Sequence, residues 1–391
     1  MAKFICTKCT KVFSDGNEGA KCPQCGAGYP EVYEIKNSDE LLRKEVDKIM
    51  EEREKLGISN LIGGLECVII NTERRNQKKA AQELVSTTGL EYEGTVESEN
   101  YHTCILRQPG NADFLIRARR HDCNPFREIN KAVKTAFYPN TRLETLVFKA
   151  KDLEKFVEIQ QERGVKFMTE DVIHYNDYNF IQTMPSQYTG NSIGFIEWLK
   201  EDREYFNEGT RRLEWDIRKP DRPHLKNIGK LDHCATRVKC EDRDAAICEF
   251  LSLTNYHFDF AIYVDYLNSI TNVARLSDNE YAMVFTAGIS PYESDEKTGP
   301  TEKFVHNYGH RVHHMAFLTE NIEDTYENLK KDGMGFLVEL VGSEDEGLKQ
   351  TFSQPSEYTL LVNEYIKRYG DFDGFFTKSN VTLLTAATDN Q

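Results

Sequence analysis

Four cysteines near the start of the sequence have the spacing of a tetrahedral metal site. They form two CxxC pairs separated by twelve residues: Cys6, Cys9, Cys22 and Cys25. Each pair places two thiolates on one side of a tight turn, and four thiolates are a ligand set that Zn²⁺ prefers in structural sites. Because so short a segment cannot bury a hydrophobic core of its own, bound zinc would be its main source of stability. The pattern predicts a zinc ribbon over residues 1–30 that docks to another protein or to a second copy of the chain.

Two histidines and a glutamate in the C-terminal half form a second candidate metal site. His233 and His314 stand at the third position of two similar apolar segments, LDHCATRV and VHHMAF, and Glu364 lies in LVNEYI. Alternation along a strand lets the three side chains point to one face. Two imidazoles and one carboxylate that leave open coordination positions are the ligand set of non-haem Fe(II) sites. Burying three such groups unpaired would be costly, so the pattern predicts an Fe(II) site.

These residues belong to a fourfold repeat. Each repeat opens with a short apolar strand, continues with a charged amphipathic helix and ends in β-rich sequence; the four start at Leu65, Leu143, Leu231 and Val312. The repeat predicts an α+β fold of four βαβββ modules that pair into two domains. The predicted divisions are a ribbon (1–30), a helical linker (31–62), an N-terminal non-catalytic domain (63–200), a connection (201–230) and a C-terminal catalytic domain (231–391). Within the linker, a helix is predicted over 37–57 with Asn37 as its N-cap.

The repeats differ at equivalent positions. Cys67 and Thr145 stand where the last two repeats carry histidines, and Glu197 in GFIEWL is aligned with Glu364 in LVNEYI. The N-terminal domain is therefore predicted to be metal-free. His313 is expected to face away from the metal because adjacent residues of a strand point to opposite faces. His306 and His310 are expected in a loop before that strand.

At these residues the sequence resembles the vicinal-oxygen-chelate superfamily, and within it the 4-hydroxyphenylpyruvate dioxygenases and their relatives. The resemblance is carried by LDHCATRV, by RVHHMAFLTENIEDT and by residues 347–380; it is architectural over 63–200 and does not include the ribbon. It implies paired βαβββ modules, a C-terminal lid helix and iron ligation by His233, His314 and Glu364. It also implies that Gln350 and Ser269 contact the substrate and that Phe375 and Asn380 lie at the lid.

Arg237 is a candidate substrate contact on different grounds. It follows His233 by four residues and therefore lies on the same face of the predicted strand. A guanidinium can bind a substrate carboxylate through two hydrogen bonds. An ion pair at the rim of the sheet is the alternative interpretation.

The leading hypothesis is an Fe(II)-dependent dioxygenase that uses O₂ and a small chelating substrate. The substrate is predicted to be a 2-oxo acid, whose oxidative decarboxylation is coupled to oxidation of the same molecule. One alternative is an extradiol ring-cleaving dioxygenase, which has the same ligand set; another is a non-catalytic protein that binds a metal or small molecule and docks through its ribbon. A glyoxalase-like isomerase needs a fourth ligand, and residues 282–286 (AMVFT) offer neither histidine nor carboxylate.

Composition limits the classes of partner. The chain has 391 residues, with 49 Lys and Arg against 64 Asp and Glu, which gives a net charge of −15. This balance argues against general binding to nucleic acid or to an anionic membrane surface. The sequence shows neither a membrane-spanning apolar run nor a secretory signal at its start, and cysteines outside the CxxC pairs are scattered. We therefore expect a cytoplasmic protein.

Overall fold

The computed structural model describes residues 2–6, 8–9, 11–15, 19–28, 32–34, 37, 39–296, 298–370, 372 and 374–391. The N-terminal segment forms a three-stranded antiparallel sheet of β1 (Ala2–Cys6), β2 (Val12–Asp15) and β3 (Val32–Glu34), in the order β2-β1-β3. Because β3 lies beyond residue 30, this sheet extends past the predicted end of the ribbon. Its small core contains Cys6, Ala20, Cys22 and Val32.

The predicted linker helix packs against the C-terminal half of the chain. Helix α1 (Asp39–Leu56) buries Arg53, whose guanidinium donates hydrogen bonds to the carbonyl oxygens of Leu251 and Tyr256 at 3.1 and 2.6 Å. The side-chain amide of Asn37 donates to the carbonyl oxygen of Gly288 at 2.8 Å. Asn37 and helix α1 therefore pack against the C-terminal half.

Two large mixed sheets form the rest of the molecule. The first has the order β12-β5-β6-β7-β4-β8-β11-β10-β9. Its strands are β4 (Ile62–Asn71), β5 (Glu91–Glu97), β6 (Tyr101–Arg107), β7 (Asp113–Arg119), β8 (Arg142–Ala150), β9 (Ile173–His174), β10 (Tyr178–Gln182), β11 (Ser192–Trp198) and β12 (Arg211–Leu213). Strand β12 belongs to the predicted connection, which thus contributes to the N-terminal sheet.

The second sheet has the order β14-β15-β16-β13-β17-β20-β19-β18. Its strands are β13 (Ile228–Arg237), β14 (His257–Val264), β15 (Ser269–Arg275), β16 (Ala282–Ala287), β17 (Arg311–Thr319), β18 (Val341–Ser343), β19 (Leu348–Phe352) and β20 (Val362–Arg368). Apart from β12, the two orders correspond strand for strand. The predicted α+β fold of four βαβββ modules is thereby confirmed.

Helices cover one face of each sheet. They are α2 (Gln77–Thr87), α3 (Leu153–Glu162), α4 (Arg243–Leu253) and α6 (Ile322–Lys331), one in each module. Helices α5 (Pro300–Tyr308) and α7 (Lys378–Ala387) instead contribute residues to the opposite face of the second sheet. Short 3₁₀ turns occur at Pro223–Asn227, Cys240–Asp242, Asp265–Leu267 and Thr388–Asn390. The α5 helix contains His306, so the prediction of a loop at that residue is wrong. None of the described helices has both the length and the apolar character needed to cross a bilayer.

One hydrophobic core joins the two halves. It lies on the helix-covered faces, where the ring of Phe114 stacks on Phe317 at 5.9 Å and Phe148 meets Tyr256 at 5.5 Å. Because side chains alternate along a strand, Cys67 and Ile69 of β4 and His233 and Ala235 of β13 point to the opposite, concave faces. We refer to these concave faces as the N-terminal cup and the C-terminal cup.

Candidate metal centre

Three strands of the C-terminal cup bring His233, His314 and Glu364 together. In the antiparallel pair β13 and β17, His233 lies opposite Ala316 and His314 lies opposite Ala235. Strand β20 runs parallel to β17 and places Glu364 beside Ala316. Each ligand candidate therefore neighbours an alanine across the sheet, and these small side chains leave room for the three polar groups to converge.

The geometry of the three groups fits one metal ion. The Nε2 atoms of His233 and His314 lie 3.1 and 3.2 Å from the same Oε2 atom of Glu364. All three ligand atoms lie within 4.8 Å of one another. Two ligand atoms that are each about 2.1 Å from a metal and at right angles are about 3 Å apart. This donor set, two imidazoles and one carboxylate, is typical of Fe(II) sites with open coordination positions.

Burial and mutual attraction set the charges of the three side chains. Burial disfavours a charged His233, but the Glu364 and Asp232 carboxylates raise its pKa to about 9. Burial alone would raise the pKa of Glu364, but the two imidazoles lower it to about 2. Burial lowers the pKa of His314, against the opposing effect of Glu364. Without a metal, the site is therefore a buried ion pair between His233 and Glu364.

His233 is held from behind by a chain of charged groups. Its Nδ1 atom lies 2.7 Å from Oδ2 of Asp232. That carboxylate accepts two hydrogen bonds from Arg368, at 2.6 and 3.0 Å. Asp232 thus fixes the imidazole with Nε2 toward the metal position, the role of a carboxylate behind a histidine ligand. The sequence interpretation missed Asp232 and Arg368, although Asp232 directly precedes His233.

The prediction that His313 faces away from the site is wrong, because β17 contains a β-bulge at this residue. Pairing shifts from Ala235 with His314 to Thr236 with Val312, which leaves His313 as an extra residue. A bulge re-aims side chains, and His313 Nδ1 lies 2.8 Å from His314 Nδ1. If His314 binds a metal through Nε2, its Nδ1–H donates to His313. His313 Nε2–H then donates to Oε1 of Gln391, 2.8 Å away.

A cavity of about 40 Å³ adjoins the three groups. His314, Glu364, Gln350 and Arg237 supply part of its polar wall, and Phe376 with residues of α7 supplies part of its apolar wall. The amide Nε2 of Gln350 donates to Oε1 of Glu364 at 2.5 Å. Gln350 therefore lies at the cavity and orients the carboxylate, while its contact with a substrate stays a prediction.

The other sequence-predicted substrate and lid residues lie one layer behind this wall. Asn380 donates to Oε1 of Gln350 at 2.9 Å, and the hydroxyl of Ser269 is 2.9 Å from that of Thr301, which lines the cavity. The ring of Phe375 lies 5.5 Å from His233 and stacks on Arg368. Phe376, which the sequence interpretation did not single out, is the phenylalanine of this pair that lines the cavity.

The N-terminal cup has different residues at the three ligand positions. Cys67 and Thr145 replace the histidines, as predicted, because Cys67 lies opposite Val147 and Thr145 opposite Ile69. The residue matching Glu364 is Gly194, beside Val147, and not Glu197. A Cβ atom on Gly194 would lie 3.0 Å from side-chain atoms of both Thr145 and Val147, so a larger side chain at this position would require these neighbours to shift. The predicted alignment of Glu197 with Glu364 is therefore wrong by three residues.

The four cysteines of the ribbon also converge. The Sγ atoms of Cys6 and Cys25 are 3.5 Å apart, those of Cys9 and Cys22 are 3.4 Å apart, and all four lie within 4.8 Å of one another. Sulfur ligands at about 2.3 Å from a tetrahedral zinc are separated by about 3.8 Å. The cluster therefore fits one tetrahedral ion.

Two solved structures have a similar fold. A triple mutant of 4-hydroxymandelate synthase from Streptomyces coelicolor matches with a TM-score of 0.63 and 15% identity, over 84% of this chain and 98% of that chain. A xylose isomerase-like TIM barrel/4-hydroxyphenylpyruvate dioxygenase fusion protein matches with a TM-score of 0.58 and 13% identity, over 90% of this chain and 57% of that chain. This chain has the vicinal-oxygen-chelate fold. No protein-family model and no curated protein matches it.

Proposed function

We propose that this protein is an Fe(II)-dependent dioxygenase that acts on a small chelating 2-oxo acid. The observation that carries the proposal is the convergence of two imidazoles and one carboxylate beside a cavity in the C-terminal cup. The likeness of fold to a 4-hydroxymandelate synthase and to a 4-hydroxyphenylpyruvate dioxygenase fusion protein supports the same class of chemistry. Fold alone does not fix function, so the proposal depends on the site.

The residues of the site have separate tasks in this proposal. His233, His314 and Glu364 would hold Fe(II), which supplies the coordination positions for a 2-oxo acid and O₂ and the redox chemistry of oxidative decarboxylation. Asp232 keeps His233 oriented, and Gln350 keeps Glu364 oriented, through the hydrogen bonds described above. Phe376 and the α7 residues Val381 and Leu384 exclude water from the cavity.

Oxygen uptake tests the proposal. The protein, loaded with Fe(II) anaerobically, is mixed with each member of a panel of 2-oxo acids, and O₂ consumption and CO₂ release are recorded together. We expect one CO₂ for each O₂ with at least one member, and no uptake by a Glu364→Ala variant. Uptake with catechols and none with 2-oxo acids would favour extradiol cleavage. Binding of a 2-oxo acid without O₂ uptake would favour a binding protein.

The ribbon is proposed to hold one structural zinc ion through Cys6, Cys9, Cys22 and Cys25. In the full-length chain, a Cys6→Ser and Cys22→Ser double variant should lose zinc and keep its capacity for iron. Zinc content unchanged in this variant would contradict the assignment. Docking to another protein or to a second copy of the chain remains the proposed purpose of the ribbon.

A further inference from the structure

Arg237 places a buried positive charge in the cavity wall. It is 5% exposed and lines the same cavity as His314, Glu364 and Gln350. It lies on β13 four residues beyond His233, which separates the two Cα atoms by about 13 Å along the strand. Because the arginine side chain is long, its guanidinium can reach a ligand that is bound at the metal position.

The partners of Arg237 are all uncharged. Its Nη2 donates to the hydroxyl of Thr388 at 2.7 Å, its Nη1 lies 3.4 Å from the carbonyl oxygen of Pro300, and its guanidinium sits 4.7 Å from the ring centre of Phe304. Within the described part of the chain, no carboxylate forms an ion pair with it. Burial lowers its pKa to about 9, so it is still charged at neutral pH.

Two other buried arginines form ion pairs with carboxylates. Arg119 has Glu144 at 2.8 Å, and Arg243 has Asp39 at 2.5 Å. A buried charge without a counter-ion is costly. Arg53 and Arg311 are also buried and donate to carbonyl oxygens, with no carboxylate partner among the described residues. Arg237 differs from them because it lines a cavity, so a ligand can supply the missing anion.

The charge of the loaded site leaves Arg237 without a counter-ion when the substrate has one carboxylate. Fe(II) with Glu364 and two neutral imidazoles has a net charge of +1. The carboxylate of a chelating 2-oxo acid neutralises that charge and leaves the charge of Arg237 uncompensated. Thr271, Thr286 and Thr301 also line the cavity, and threonine side chains suit a polar ligand.

We propose that the substrate is a 2-oxo acid with a second carboxylate, which binds Arg237 in place of the Thr388 hydroxyl. This inference rests on the proposed function, because it takes the first carboxylate and the 2-oxo group to lie at the metal. It makes Arg237 a specificity-determining residue that distinguishes dicarboxylates from monocarboxylates of the same length.

Anaerobic binding tests the inference without turnover. The Fe(II)-loaded protein is titrated with 2-oxoglutarate and with 2-oxohexanoate, a monocarboxylate of similar length, and the visible absorption of the chelate gives each Kd. We expect 2-oxoglutarate to bind at least about 10-fold more tightly, as a charge-assisted bidentate pair would give. Arg237→Gln should remove this preference by weakening only the dicarboxylate, whereas Arg237→Lys should retain part of it.

The outcomes separate this inference from the proposed function. Equal affinities in the wild-type protein, or equal weakening of both acids by Arg237→Gln, would overturn the role of Arg237 and leave the dioxygenase proposal standing. Chelation of neither acid would overturn both. If Arg237→Gln does not fold, Thr388→Val supplies the second variant, because it removes the neutral partner and should keep or increase the preference. Loss of the preference in Thr388→Val would count against the inference.

Discussion

The N-terminal cup is packed with aromatic side chains, whereas the C-terminal cup encloses a cavity beside three candidate metal ligands. In the N-terminal cup the rings of Tyr178, Trp198 and Tyr205 lie 5.1 to 6.0 Å apart and fill the concave face. In the C-terminal cup the corresponding face carries His233, His314 and Glu364. With the same order of strands, the concave face is filled by packed side chains in one half and carries a candidate metal site in the other.

One of these three aromatic residues, Tyr205, comes from the segment between the two halves. Tyr205 lies in the predicted connection, is 7% exposed, and donates its hydroxyl hydrogen bond to Asp113 at 2.9 Å. The comparison shows that the two cups differ at a few inward positions and in the side chains that fill them. Strand order alone does not produce this difference.

The largest effect is expected from the ligand positions themselves. Alanine at His233, His314 or Glu364 should lower metal affinity by more than about 100-fold, since loss of even an outer partner of a ligand costs about 10- to 100-fold. O₂ uptake should be abolished. Metal content and turnover, measured side by side, check this.

The matched controls are Cys67→Ala and Thr145→Ala in the N-terminal cup, which should keep full metal content. Iron lost from these variants but retained in His233→Ala would reverse the comparison between the cups.

Tyr205→Ala should destabilise the protein without affecting the metal. Removing a buried aromatic ring costs about 3–5 kcal/mol of unfolding free energy, and urea unfolding measures it. Tyr205→Phe is the control, because it loses only the hydrogen bond to Asp113 and should cost about 1 kcal/mol. A Tyr205→Ala protein of normal stability that failed to bind iron would show that the N-terminal cup takes part in the site.

The two halves can also be compared at their β-bulges, because β8 and β17 each contain a bulge at the corresponding position. His313 occupies the bulge of β17 and Glu144 that of β8. His313→Ala should weaken metal binding by about 10- to 100-fold, because His314 loses the acceptor at its Nδ1. His313→Asn, which keeps an acceptor near that position, should recover part of the affinity.

Glu144→Gln tests the bulge of the N-terminal half. Glu144 pairs with Arg119 and makes no contact with the ligand set, so its substitution should change stability and leave metal affinity unaltered. Equal affinity of His313→Ala and the wild-type protein would mean that His314 needs no support from its neighbour.

The smallest effect concerns the contact between the halves, where Arg142 donates a hydrogen bond to the carbonyl oxygen of His310 at 3.0 Å. Burial, with nearby Arg142, Lys239 and Arg311, lowers the pKa of His310 to about 4. A folded-state pKa below the unfolded value means that stability is complete above about pH 6.5 and is lost as the pH falls toward 4. His310→Gln should therefore reduce the loss of unfolding free energy between pH 7 and pH 5 by up to about 2 kcal/mol. An unchanged pH dependence would contradict the role of His310.

The sequence predicts much of this architecture because the modules repeat. Apolar opening strands and charged helices identify the four βαβββ units, and the positions of His233 and His314 within them predict that the two rings meet. The convergence of the four N-terminal cysteines is also predictable, since CxxC spacing places two thiolates on one side of a turn.

The rest depends on register and on contacts between distant segments. The similarity of Glu197-Trp198 to Glu364-Tyr365 suggested the wrong alignment, because register follows pairing with the neighbouring strand and not the local motif. The bulge at His313 has no local sequence signal. By contrast, helix α5 has a local sequence signal, since Pro300 at its first position is a common helix start.

Anomalous diffraction at the iron and zinc absorption edges tests the central difference between the cups most directly. Crystals grown anaerobically with Fe(II) should show one iron peak about 2.1 Å from Nε2 of His233 and of His314, in contact with Glu364. A zinc peak should lie among the four cysteines, and no peak should lie between Cys67, Thr145 and Gly194. An iron peak in the N-terminal cup, or none in the C-terminal cup with Fe(II) supplied, would contradict the account.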